Sequence, residues 1–155
     1  MHEFLEYRVR DVMSHNPVTC TPDTPLEGIE HLLETHDFNA LPVVDATGHL
    51  LGVVTKLDFL RAFAFTTGTM IPPYEHILRE PAARVMSTAP LTVTADTPLT
   101  RVLQMMVETR YRSLPVVEGR RLTGVVARED VLRALRAAAT GERPGSRSID
   151  QLRGC

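Results

Sequence analysis

The chain has 155 residues, of which 43% are hydrophobic and 23% charged, and its formal net charge is −2. These are ordinary values for a soluble globular protein, and so small a net charge argues against nucleic-acid binding through a general basic field. No run approaches the roughly 18 apolar residues of a membrane span, and Met1-His2-Glu3 is too polar to open a signal peptide. Cys20 and Cys155 occupy unrelated positions and make no disulfide framework, so a reducing cytoplasm is the expected setting.

The chain is one unit written twice. Val12-Met13-Ser14, Pro17 and Asp23-Thr24-Pro25-Leu26 return as Val85-Met86-Ser87, Pro90 and Asp96-Thr97-Pro98-Leu99, each 73 positions on (86 − 13 and 99 − 26). Leu41-Pro42-Val43-Val44-Asp45 pairs with Leu114-Pro115-Val116-Val117-Glu118 at the same spacing. One residue is then lost, and Gly52-Val53-Val54-Thr55-Lys56-Leu57-Asp58 pairs with Gly124-Val125-Val126-Ala127-Arg128-Glu129-Asp130. Leu60-Arg61-Ala62 and Leu132-Arg133-Ala134 follow. A duplicated unit buries its apolar faces against its copy and leaves clefts where the copies meet.

In chain order each repeat reads strand, helix, strand, strand, helix. Pro17 to Cys20 and Pro90 to Val93 are β-prone runs. Thr24 and Thr97 are expected to cap the helices that follow, with Pro25 and Pro98 at the first helical position. Leu26, Ile29, Leu32 and Leu33 fall on one helical face, as do Leu99, Val102, Leu103 and Met106. Leu41–Val44 and Leu50–Thr55 are apolar strands joined by a turn at Asp45–Gly48; the second repeat turns one residue sooner. Gly52 and Gly124 suit close backbone packing. Helices over Asp58–Phe65 and Asp130–Ala139 close the repeats. The expected division is a first unit at 1–66, a linker at 67–82 with a helical turn at Tyr74–Leu78, a second unit at 83–139, and a weakly ordered tail at 140–155.

These motifs, repeated in order, resemble a tandem pair of CBS domains, a Bateman module, over about residues 8–138. The resemblance implies an α/β (α+β) fold of two pseudo-symmetric β-α-β-β-α units packed sheet to sheet, with two clefts between them. It implies a free-standing regulatory module, not an enzyme, that binds AMP, ADP, ATP or S-adenosylmethionine. It also implies a homodimer that signals to a target protein, with no nucleic acid or membrane among its partners. The apolar positions Leu57, Leu60 and Phe63, with Val131, Leu132 and Leu135, are candidates for the dimer contact.

The resemblance implies roles for particular residues. The Thr55 hydroxyl would contact phosphate, and the Asp58 carboxylate would accept both ribose hydroxyls. Thr55-x-x-Asp58 is equally the pattern of a capping box. In the second repeat Asp130 stands without its hydroxyl partner, since Ala127 replaces the threonine, and Arg128 is a candidate phosphate partner. The two clefts are therefore expected to differ. Thr19 and Thr21, with Thr92 and Thr94, would line base pockets, although threonine is also an ordinary strand residue. Asn39, Ala40, Leu41 and Pro42, with Arg112, Ser113, Leu114 and Pro115, would hold the adenine edge, with Arg112 also suited to phosphate. The alternative is a structural dimerisation module that binds no nucleotide. His31 and His36 lack metal-ligand spacing, Met105-Met106 reads as core, and no glycine-rich phosphate loop or nucleophile elbow occurs.

Overall fold

The computed structural model describes residues 2–36, 38, 40–64 and 74–145. In chain order its elements are α1 (His2–Glu6), β1 (Ser14–His15), α2 (Leu26–His36), β2 (Ala40–Val44), β3 (Leu50–Thr55), α3 (Lys56–Ala64), α4 (Tyr74–Leu78), β4 (Ser87–Thr88), α5 (Leu99–Thr109), β5 (Ser113–Glu118), β6 (Arg121–Ala127) and α6 (Arg128–Thr140). They form two compact units: a central one, Val18–Pro90, and a terminal one, Met1–Pro17 with Leu91–Cys155.

These compact units cut across the two sequence repeats. The lead-in to the first repeat packs with the body of the second, and the lead-in to the second packs with the body of the first. In the central unit β3 pairs antiparallel with β2 on one side and β4 on the other. In the terminal unit β6 pairs likewise with β5 and β1. The reason lies in which orphan groups each lead-in satisfies. The Leu26 amide at the start of α2 donates to Glu80 O at 2.9 Å, and Ala82 N returns a bond to Thr24 O at 2.8 Å. The terminal unit repeats both: Leu99 N donates to Tyr7 O at 3.0 Å and Val9 N to Thr97 O at 2.9 Å. A helix start leaves its first amides without intrahelical partners, and here a neighbouring carbonyl supplies one.

This also corrects the expected caps. Thr24 and Thr97 do not cap their helices; their hydroxyls accept from Thr21 N and Thr94 N at 3.0 Å, tightening the preceding turn. Pro98 is the residue that flanks α5, with extended backbone. The first strands shift as well. Pairing occurs earlier, at β1 and β4, while Cys20 and Val93 make only single parallel bridges to Val43 and Val116. Between them Asn16 and Ala89 adopt left-handed conformations (φ 52° and 51°), which end the ladder, and Pro17 and Pro90 have no amide to extend it.

The expected apolar faces are in place. Leu26, Ile29 and Leu33 are buried with Leu41, Val43 and Val54 in the central core, and Leu32 packs half-buried against it. Leu99, Val102 and Met106 are buried with Leu114, Val116 and Val126 in the terminal core, joined by Phe4, Val9, Val12 and Met13 from the lead-in. Full burial of each such side chain contributes about 1.5–3 kcal/mol. Gly52 and Gly124 sit inside β3 and β6. A Cβ on Gly52 would lie 2.5 Å from Ser87 O, and one on Gly124 would come equally close to Ser14 O, so the short edge strands lie directly against hydrogen there. The expected helical turn at Tyr74–Leu78 is α4, which buries Ile77 in the central core.

Candidate functional site

The most chemically loaded position in each unit is the first turn of its closing helix. In the central unit Thr55 and Asp58 form the reciprocal box: Thr55 N donates to Asp58 Oδ2 at 2.9 Å, and Asp58 N donates to Thr55 Oγ1 at 3.0 Å. The carboxylate is 3% exposed. It also accepts from Arg61 Nη1 at 3.2 Å and from the Ser87 hydroxyl at 3.1 and 3.2 Å. A buried carboxylate is stable only with such partners. The four donor contacts explain why Asp58 sits in the core without an opposing charge of equal burial: Arg61 is 52% exposed.

Asp58 opens onto a cavity of about 480 Å3 in the central unit, lined also by Arg61, His76, Glu80, Arg84 and Ser87. Arg84 Nη1 pairs with Glu80 at 2.8 Å, so the wall carries both signs of charge. A space of this size holds a small polar ligand.

In the terminal unit Ala127 N donates to Asp130 Oδ2 at 2.8 Å, but alanine offers no hydroxyl for the return bond. Asp130 is 2% exposed and bonds Arg133 Nη1 at 3.1 Å. Arg128 spends its guanidinium on main chain: Nε donates to Tyr111 O at 3.2 Å and Nη2 to Arg110 O. Its own amide donates to Arg112 O at 3.0 Å. Arg128 thus braces the loop between α5 and β5. Ser113 is half-buried at the start of β5, and Arg112 is exposed beside it.

The remaining candidates divide by burial. Leu41 and Leu114 are 0% exposed, so their side chains face the core. Pro42 O and Pro115 O accept from Cys20 N and Val93 N at 3.0 Å. Thr19, Thr92, Ala40 and Thr55 are half-buried, and Thr21 and Thr94 are exposed. Asn39 lies outside the described residues. Cys20 is buried, and desolvation pushes its thiol up to about 11, which keeps it protonated and unreactive.

Sequence reasoning missed Ser87, Arg61 and Arg133 as partners of the carboxylates. The signal was present: Ser14 and Ser87 share one place in the repeat, and Arg61 and Arg133 each fall three residues after the aspartate. Their reach could not be read, because Ser87 comes to Asp58 only through the pairing of β4 with β3.

The CBS domain family matches residues 9–65 and 82–137. The chain belongs to the CBS domain family. Among solved structures, CBSX2 in complex with AMP is 27% identical, with a TM-score of 0.74 over 86% of this chain and 98% of that one. The CBS domain pair of protein MJ0100, in complex with 5′-methylthioadenosine and S-adenosyl-L-methionine, is 26% identical, with a TM-score of 0.70 over 85% and 98%. An inosine-5′-monophosphate dehydrogenase of Mycobacterium tuberculosis is 32% identical over 123 residues, 78% of this chain but 21% of that enzyme. The chain spans about a fifth of that enzyme's length and 22% of a similar L-aspartate semialdehyde sulfurtransferase of Methanocaldococcus jannaschii. No helix among the described residues is long and apolar enough to cross a membrane.

Proposed function

We propose that this chain is a cytoplasmic sensor: a regulatory module without chemistry of its own that binds an adenosine-type ligand and passes the binding state to a partner protein. The observation that carries the reading is Asp58, a carboxylate at a helix N-terminus that lines an open cavity and holds a neutral, displaceable hydroxyl. A ribose diol can take the place of the Ser87 hydroxyl on the two carboxylate oxygens, one neutral donor for another, so the exchange leaves no buried charge unpaired. The helix N-terminus favours an anion nearby, which suits the phosphate of AMP, ADP or ATP. CBSX2 with AMP and the MJ0100 pair with S-adenosyl-L-methionine support this ligand class.

Binding changes the module only by its differential affinity for two conformations. An apolar groove of about 330 Å3 on α5 and α6, walled by Leu103, Val107, Leu132 and Leu135, is the surface we assign to a second copy in a homodimer. Calorimetric titration with AMP, ADP, ATP and S-adenosylmethionine tests the ligand reading, and silence from all four at millimolar concentration refutes it. Asp58→Ala is expected to weaken the binding ligand about 10- to 100-fold, the value of charge-assisted hydrogen bonds. Ser87→Ala, which removes the competing hydroxyl, is expected to leave affinity unchanged or tighter.

A further inference from the structure

We propose that the segment after α6 is an internal stopper on the Asp130 site, so that the full chain presents one adenosine-type site although its duplication built two. This rests on the nucleotide reading above and adds regulation to it. α6 ends at Thr140, Gly141 turns the chain at φ 79°, and the segment runs on to Gly145. Arg133, one turn beyond Asp130, gathers three parts of the unit. Its Nη1 donates to Asp130 Oδ1 at 3.1 Å, and its Nη2 donates to Val12 O at 3.1 Å and to Gly145 O at 2.7 Å. Its Nε adds a second bond to Gly145 O at 3.1 Å. The Tyr7 hydroxyl reaches Glu142 O at 3.4 Å.

The central unit supplies the comparison. Arg61 stands where Arg133 stands, bonds Asp58, and is 52% exposed against 25% for Arg133. Ser87 is exposed, whereas its counterpart Ser14 is 6% exposed. Val85 and Met86 are half-buried, whereas Val12 and Met13 are buried. Ser14 and Arg133 are thus more buried in the terminal unit than Ser87 and Arg61 are in the central one, and the tail carbonyl of Gly145 is bonded to the arginine that holds Asp130.

The test compares the full chain with a form ending at Gly141, which keeps the α6 cap, and with full-length Arg133→Lys, which keeps a positive charge beside Asp130 but cannot grip Gly145 through two nitrogens. AMP titration is expected to give one site per chain for the full-length protein and two for both altered forms. Equal stoichiometry across the three overturns the stopper. If none binds AMP, ADP, ATP or S-adenosylmethionine, the nucleotide reading fails, and the stopper is judged separately by hydrogen exchange. Exchange at the amides of residues 127–131 should then quicken in the shortened form, and an unchanged rate rejects it.

Discussion

In the central unit the closing helix starts on a two-way box, with Thr55 and Asp58 each accepting from the other's amide. In the terminal unit the same helix starts on Ala127, and Asp130 answers one way only. Yet Asp130 is no less buried than Asp58. The carboxylate's position is therefore not held by the cap hydroxyl. It is held by the bond to the amide three residues back and by the arginine one turn on, which both units keep. Losing half of a capping box therefore leaves the carboxylate in place.

The comparison can be broken most forcefully at its shared glycines. Gly124→Ala sets a Cβ on Ser14 O and on Met13 Cε, and Gly52→Ala sets one on Ser87 O. Both are expected to cost about 1–3 kcal/mol in denaturant unfolding, as overpacking does. Near-neutral values would mean the edge strands are free to move away.

Exchanging the caps is the next largest effect. Thr55→Ala should cost about 0.5–2 kcal/mol and Ala127→Thr should return a similar amount, because a threonine hydroxyl there completes the reciprocal box that Thr55 and Asp58 make. If Ala127→Thr gives nothing, the two helix starts are not equivalent after all.

Asn16 and Ala89 offer a smaller contrast. Both have positive φ, a conformation asparagine tolerates better than alanine, so Ala89→Asn is expected to stabilise by up to about 1 kcal/mol. A loss of thermal stability would contradict this.

The least effect belongs to the turn at Asp45, which the shorter turn of the second repeat does not reproduce. The Asp45 carboxylate accepts from the Thr47 hydroxyl at 2.6 Å and from the amides of His49 and Thr47 at 3.0 and 2.9 Å. These bonds, the Thr47 hydroxyl first, hold its pKa down to about 2. Because the folded value lies below the ordinary one of about 4, the stabilisation is fully present above pH 4 and fades as pH falls toward 2. Wild type and Asp45→Asn should therefore differ in melting temperature at neutral pH and converge in strong acid.

The duplication, the apolar faces of α2 and α5, the β2–β3 and β5–β6 hairpins, and the pairing of each Asp with a helix start are all legible in the residue order. All of these are local, since period and spacing over a few residues fix which side chains share a face. Long-range packing set which lead-in completes which sheet, turned Thr24 and Thr97 to tightening turns instead of capping helices, and gathered Ser87 and Arg61 on Asp58. Those outcomes depend on orphan amides finding acceptors tens of residues away, as Leu26 finds Glu80 and Leu99 finds Tyr7. Identical motifs in the two repeats offer two pairings of equal local quality, and packing of the whole chain selects between them.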